Sequence, residues 1–235
     1  GKSPAYHSTA WHCGRIREGQ DMVNVMIVED EGLFRDMLKI SLAGVPNMEV
    51  VGAVADGNAA IDGANRYNPD VILMDIELGS DPNGISAGRC IKKEHPEMGI
   101  VILSSHRERQ YLGLISSEES SGWSYLLKQS VSDAGALARA IEGAASGLVV
   151  MDPTVVNSMK PGKGSLTAGL TPGQQEVLTM MAQGYNNATI AEKLVLGTKS
   201  VENYINAIYQ ELNLSHNGPL HPRVQAVLSY IRDSV

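Results

Sequence analysis

Hydrophobic and polar positions follow a repeating order along the first two thirds of the chain, in which a short apolar run is followed by a segment with helical spacing. The apolar runs lie at 23–28, 50–55, 71–74, 100–103 and 123–127. The helical segments lie at 33–42, 59–67, 85–93, 110–116 and 134–145. Uninterrupted apolar runs of this length are typical of strands that are buried on both faces. Strand and helix units in this order predict an α/β fold, with a doubly wound five-stranded parallel sheet between helices.

The pattern changes after residue 148. Residues 151–169 contain two prolines and three glycines, and we assign 149–168 to a linker, with a short helix beginning near Pro153. Beyond it, Thr171, Pro172 and Gln174 predict the start of a helix with a capping box. Gly184 predicts the end of that helix.

The remaining residues predict three further helices. Asn186 or Asn187 caps the first of them. The second covers 198–212, with an apolar face formed by Val201, Ile205, Ile208 and Leu212. The last one follows Pro222. Two helices joined by a tight turn indicate a helix-turn-helix, although periodicity alone is equally compatible with a plain four-helix bundle.

Composition limits the classes of protein that remain. The chain has 235 residues, is 43% hydrophobic and has a pI of about 5.4, which suits a soluble protein of one or two domains. The apolar runs are too short to cross a bilayer, and two cysteines form no disulfide framework. We therefore expect a cytoplasmic protein without membrane contact. Residues 1–21 are interpreted as an extension or cloning remnant, because Met22 is a good native start.

Charged and polar side chains follow the predicted strands at the points where the strands end. Glu29 and Asp30 follow the first strand, Asp75 the third, Ser104 the fourth and Lys128 the fifth. The carboxyl ends of parallel strands meet at one rim of a sheet, where ligands bind in this class of fold. These five side chains are therefore expected to lie together.

The chemistry of this rim points to phosphoryl transfer. Three carboxylates and one lysine leave excess negative charge, which a divalent cation with oxygen ligands would balance, and Mg²⁺ meets that demand. With a cation and Lys128 nearby, Asp75 can act as a nucleophile towards phosphorus. Ser104 can then hydrogen-bond to the bound phosphoryl group.

Four short motifs in this region resemble the signatures of bacterial two-component receiver domains. They read VEDE, ILMD, ILSS and YLLK, and the resemblance covers residues 22–148 with the flavodoxin-like fold. It implies that Asp75 accepts phosphate from a histidine kinase and that Glu29, Asp30, Asp75 and the backbone carbonyl of Glu77 bind Mg²⁺. It also implies that Ser104 and Tyr125 form the switch pair.

The loop after Asp75 departs from the receiver pattern. It reads IELGSDPNG, one residue longer than is customary, and Gly79 stands where the family has proline. Because this loop flanks the predicted metal site, an unusual lifetime of the phosphorylated state is expected.

The C-terminal part resembles the LuxR-type helix-turn-helix domain across 169–235, so that the whole chain resembles a NarL/FixJ-type response regulator. The resemblance rests on the run from LTPGQQEVL through ATIAEKL to TKSVENYI. It implies a homodimer when phosphorylated, bound to double-stranded DNA to control transcription. The DNA-contacting residues that it implies are Lys199, Ser200, Glu202, Asn203 and Asn206. The segment 216–222 reads as an insertion before the last helix.

The charge of the C-terminal domain is unusual for a DNA-binding module. Its four basic residues are Lys193, Lys199, Arg223 and Arg232, against five acidic ones, Glu176, Glu192, Glu202, Glu211 and Asp233. Because affinity for DNA depends on neutralising phosphates, we expect weak binding by one domain and a need for dimers.

Two alternatives remain beside a transcription regulator that is not itself an enzyme. The first is a degenerate protein of the same architecture that acts through protein–protein contacts. The second is a Mg²⁺-dependent phosphohydrolase with Asp75 as nucleophile, although such enzymes typically carry an aspartate where this chain has Glu77.

Overall fold

The structure, a computed structural model, describes residues 22–105, 121–159, 165–214 and 220–234. Residues 23–127 contain a parallel sheet of five strands in the order β2-β1-β3-β4-β5. The strands are β1 (Val23–Val28), β2 (Met48–Val54), β3 (Val71–Asp75), β4 (Gly99–Ser104) and β5 (Trp123–Leu127). The helices between and after them are α1 (Gly32–Ala43), α2 (Gly57–Tyr67), α3 (Gly84–Glu94) and α4 (Ala134–Ala145). The predicted α/β architecture is confirmed, and the predicted helix at 110–116 lies outside the described residues.

Side chains alternate between the two faces of the sheet, and each face is covered by a different pair of helices. Val25, Leu73 and Val101 pack with residues of α1 and α4. Met26 and Ile72 point to the opposite face and pack with α2 and α3. Complete burial of β3, β4 and β5 explains why their sequences are continuously apolar. The edge strand β2 is mostly half-buried and begins two residues earlier than predicted, since its first pair is Met48 with Val23.

The described part of the chain after residue 152 is helical. A short helix α5 (Pro153–Ser158) and a 3₁₀ turn (Leu166–Gly169) precede the helices of residues 172–234, here called the effector region. Those helices are α6 (Pro172–Ala182), α7 (Asn187–Leu194), α8 (Thr198–Glu211) and α9 (Pro222–Ser234). Within the described part of the chain, none of the helices is both long enough and apolar enough to cross a bilayer.

The helix boundaries follow the capping residues closely. Thr171 and Gln174 form the predicted capping box, and Pro172 is the first residue of α6. Gly184 has a φ of 81° just beyond the end of that helix, as the prediction of a glycine stop requires. Asn186 caps α7 by accepting a hydrogen bond from the Thr189 amide. Three residues then separate α7 from α8, which is the tight turn of a helix-turn-helix.

Candidate functional site

The charged residues predicted from the strand ends lie together at the carboxyl edge of the sheet. Glu29 follows β1 directly, Asp75 is the last residue of β3, and Lys128 follows β5. One carboxylate oxygen of each of Glu29, Asp30 and Asp75 lies within 4.8 Å of the others. Glu29 and Asp75 are buried, whereas Asp30 is exposed. The sheet thus brings three carboxylates into one pocket that opens to solvent on the side of Asp30.

Lys128 bridges the two buried carboxylates. Its Nζ atom lies 3.0 Å from Glu29 Oε1, 2.9 Å from Glu29 Oε2 and 3.1 Å from Asp75 Oδ2. Burial acts to lower the pKa of Lys128, but the hydrogen bonds and charges of both carboxylates together raise that pKa above its ordinary value. The side chain is therefore a fixed positive charge at neutral pH.

One lysine does not balance the pocket. Burial is the main reason why the pKa of the Asp75 carboxyl is raised above its ordinary value, against the opposing effect of Lys128. Burial likewise raises the pKa of Glu29, and the nearby charge of Asp75 adds to the increase. Glu29 Oε2 is buried without a hydrogen bond of good geometry, despite its proximity to Lys128. Such a group is stabilised by an additional positive charge.

Backbone groups complete the surroundings of Asp75. The backbone amide of Glu77 donates a hydrogen bond to the Asp75 carboxylate, so the main chain of Glu77 reaches the pocket although its side chain is exposed. Gly84, the first residue of α3, packs on the Asp75 carbonyl so closely that a Cβ would come within 1.8 Å of that oxygen. The loop after β3 is therefore held against the pocket at both ends.

Gly79 lies in this loop with a backbone conformation that explains its identity. Its φ is 64°, and a Cβ there would lie 3.1 Å from Asp30 Oδ2. The proline ring fixes φ near −65°, so proline does not fit this loop. The positive φ at this position therefore accounts for glycine in place of proline.

Ser104 and Tyr125 lie on the neighbouring strands. Asp75 pairs with Leu103 in the sheet, which places Ser104 one residue further along β4. Ser104 in turn pairs with Leu127, the residue before Lys128. Tyr125 is completely buried in the middle of β5.

Two residues of this site were not predicted from the sequence. Arg35 Nη1 donates to the carbonyl of Glu29 at 2.6 Å and thereby supports the turn that carries the acids. The ring of Phe34 lies under Lys128, with its centroid 4.7 Å from Nζ, a distance at which a cation is attracted to an aromatic face. Both residues lie just after the acidic motif, in the first turn of α1. The available signal in the sequence was that Phe34 is the one phenylalanine of the chain.

The second candidate site is the outer face of α8. Val201, Ile205 and Ile208 are buried against the other helices, as predicted. The residues proposed to contact DNA, Lys199, Ser200, Glu202, Asn203 and Asn206, are all exposed or half-exposed. Lys199 Nζ lies 3.1 Å from Glu202 Oε2, and the two side chains are 82% and 44% exposed, respectively. The basic residue of this face is therefore already paired.

Other basic residues of the effector region have structural contacts. Arg223 is half-buried and donates to the carbonyl of Tyr185 and to Asn187 Oδ1. Lys193 Nζ lies 4.9 Å from the centre of the Tyr185 ring. The effector region therefore has little basic surface to supplement α8.

Comparison with known proteins matches two separate parts of the chain to two families. Residues 25–142 match the response regulator receiver domain, and residues 168–228 match the bacterial regulatory proteins of the luxR family. The transcriptional regulatory protein DegU of Brevibacillus brevis is 32% identical over 91% of this chain and 95% of its own length. The response regulator protein VraR of Staphylococcus epidermidis is 32% identical over 88% of this chain and 95% of its own.

Solved structures show the same fold. A LuxR-family two-component response regulator from Aurantimonas sp. SI85-9A1 is 26% identical, with a TM-score of 0.52 over 58% of this chain and 94% of its own. A structure of two RcsB dimers bound to two parallel DNAs is 22% identical, with a TM-score of 0.53 over 92% of this chain and 100% of its own. The chain therefore belongs to the NarL/FixJ-type response regulators, which join a receiver domain to a LuxR-type DNA-binding domain and regulate transcription.

Proposed function

We propose that phosphorylation of Asp75 by a histidine kinase controls dimerisation and sequence-specific DNA binding by this regulator. The observation that carries the proposal is the pocket in which Lys128 bridges Glu29 and Asp75. Asp75 places its buried carboxylate at the carboxyl edge of the sheet, beside a fixed positive charge. A phosphoryl donor that enters this pocket meets a nucleophile and a group that stabilises the incoming negative charge.

The transfer itself requires one bond to form and one to break. An oxygen of Asp75 attacks phosphorus, and the P–N bond of a phosphohistidine breaks. The imidazole leaves with the electron pair of that bond and takes up a proton. Lys128 lies within hydrogen-bonding distance of Asp75 and is placed to pair with an oxygen of the new phosphoryl group.

Mg²⁺ fits the remaining demands of the pocket. The donors are all oxygens, which this hard cation prefers, and the buried Glu29 Oε2 lacks a hydrogen bond of good geometry. Glu29, Asp30, Asp75 and the backbone carbonyl of Glu77 would hold the ion. When bound, it would neutralise charge on the phosphoryl oxygens. Ser104 and Tyr125 are assigned the switch, since they lie on the two strands beyond Asp75.

A second candidate function is protein binding by the effector region. It is favoured by the pairing of Lys199 with Glu202, which leaves α8 with a neutral outer face. DNA binding remains the preferred assignment because Ser200, Asn203 and Asn206 are exposed on the helix that the family uses for the major groove.

Intact mass spectrometry after incubation with acetyl phosphate and Mg²⁺ tests the phosphorylation site. The wild type gains one phosphoryl group, and Asp75→Asn gains none because an amide is a poor nucleophile. Removal of Mg²⁺ with a chelator suppresses the reaction. Asp56→Asn is a matched control, since Asp56 follows β2 at the same end of the sheet and caps α2. Labelling of Asp75→Asn at the wild-type level would refute the assignment.

A further inference from the structure

Residues 148–152 continue the sheet beyond β5. The Tyr125 amide donates to the carbonyl of Val150 at 2.8 Å, and the Val150 amide donates to Ser124 Oγ at 3.1 Å. Met151 forms a parallel bridge with Tyr125. The open edge of β5 is therefore covered by the segment that leads into the effector region.

Asp152 joins the end of this segment to two elements at once. Its carboxylate is completely buried. Oδ2 accepts a hydrogen bond from the Leu127 amide at 3.1 Å, and Oδ1 accepts one from the Thr154 amide at 2.8 Å. Leu127 immediately precedes Lys128, whereas Thr154 lies in the first turn of α5. One side chain therefore fixes both the peptide from which Lys128 emerges and the start of the helix that follows.

The effector region is docked on the same segment. The Met151 amide donates to the carbonyl of Ala182 at 2.8 Å, at the end of α6. Arg139 of α4 donates to the carbonyl of Gln183 at 3.2 Å, and its guanidinium lies 4.4 Å from the Tyr185 ring centre. The contact surface between residues 148–158 and residues 182–185 is called the seam below, and Arg139 of α4 lies beside it.

We propose that Asp152 is a positioning residue that couples the phosphorylation pocket to the effector region. The inference rests on the proposed function of Asp75. When Lys128 turns from the Asp75 carboxylate to a phosphoryl group, the peptide that carries it shifts, and the Leu127 amide moves with it. Because the Asp152 carboxylate is bound to that amide and to α5, the shift reaches the seam and the end of α6.

The exposure of α8, the proposed recognition helix, limits what this coupling can change. Lys199 and Asn203 are exposed while the effector region is docked on the seam. Phosphorylation therefore has no need to uncover α8. The coupling changes instead the position of the effector region relative to the receiver, and hence the spacing of the two recognition helices in a dimer.

Hydrogen exchange of the full-length protein, with and without beryllofluoride and Mg²⁺, tests the role of Asp152. In the wild type, exchange within the seam changes on activation. In Asp152→Ala, Asp75 still takes up phosphate by intact mass, and peptides containing Leu127 or Thr154 exchange roughly tenfold faster because their amides lose a buried acceptor. Exchange within the seam then no longer changes on activation.

Two further variants separate coupling from stability. Asp133→Ala removes an aspartate that caps α4 through the amides of Gly135 and Ala136, and it responds to activation like the wild type. Asp152→Asn keeps an acceptor for one amide, so exchange within its seam changes on activation by less than in the wild type. This variant tests the inference if Asp152→Ala is too unstable to measure. If exchange within the seam changed on activation as much in both Asp152 variants as in the wild type, the inference would be wrong and the proposed function of Asp75 would stand. A wild type that takes up no phosphate would overturn the proposed function as well.

Discussion

At the scale of single residues, the behaviour of the pocket depends on charge and on two constrained backbone positions. Lys128 compensates one of three carboxylates, and burial of Glu29 and Asp75 makes the residual charge costly. The proposed cation would balance this residual negative charge. Gly79 and Gly84 allow the loop after β3 to approach these charges.

Replacement of Gly79 by alanine measures the constraint on this loop. We expect Gly79→Ala to lower the free energy of unfolding by about 1–2 kcal/mol, because an L-residue is disfavoured at positive φ. Urea denaturation is the measurement. Gly32→Ala serves as the control, since a Cβ there meets only Arg35 Nη2 at 3.8 Å at the start of α1. Equal stabilities of the two variants would show that the loop tolerates a side chain.

The site residues that stand at the carboxyl ends of strands could be predicted from the sequence. The site residues that act through contacts with distant parts of the chain could not. Glu29, Asp75 and Lys128 follow apolar runs, so their convergence follows from parallel strands alone. Phe34 and Asp152 act through contacts with residues far along the chain, at Lys128 and Leu127. Neither contact has a local pattern, and Asp152 was assigned to a linker because prolines and glycines follow it.

At the scale of elements, the spacing of hydrophobic residues and the capping residues predicted most of the boundaries of strands and helices. The strands buried on both faces agree with the apolar runs to within about a residue at each end. Strand β2 was predicted less well, because an edge strand tolerates Glu49 and glycine, and its first pair is set by Val23. The helix near Pro153 follows from its cap, Asp152, but its docking on α6 is a tertiary property.

The recognition helix offers a direct test of its charge pairing. We expect Glu202→Gln to bind genomic DNA fragments about two- to fivefold more tightly, because Lys199 loses its partner and a repulsive charge disappears. The salt dependence should steepen by about one unit per protomer, as one more phosphate contact requires. Fluorescence anisotropy over a series of salt concentrations measures both quantities.

The control for this prediction is Glu176→Gln. It removes the same charge from an exposed position on α6, away from the recognition helix. An equal gain in both variants would mean that net charge alone matters. No gain in Glu202→Gln would favour the protein-binding alternative.

At the scale of the whole molecule, the two regions share one continuous apolar core. The face of the sheet that includes Tyr125 continues through Met151 and Val155 to Val177 and Ile208 of the effector region. Because packed interiors have few voids, a displacement at one side of this core is passed on to the residues on the other side. Under the proposed function, regulation becomes a question of where a dimer places its two recognition helices, because each domain would supply few phosphate contacts.

The most direct test of the account is to sequence the genomic DNA fragments that the protein recovers. Wild type and Asp75→Asn are each incubated with acetyl phosphate and Mg²⁺, next to untreated samples. The account predicts that only phosphorylated wild type enriches fragments, that these share a pair of half-sites, and that Lys199→Ala/Asn203→Ala abolishes the enrichment. Equal enrichment by wild type and Asp75→Asn would contradict phosphorylation control of DNA binding.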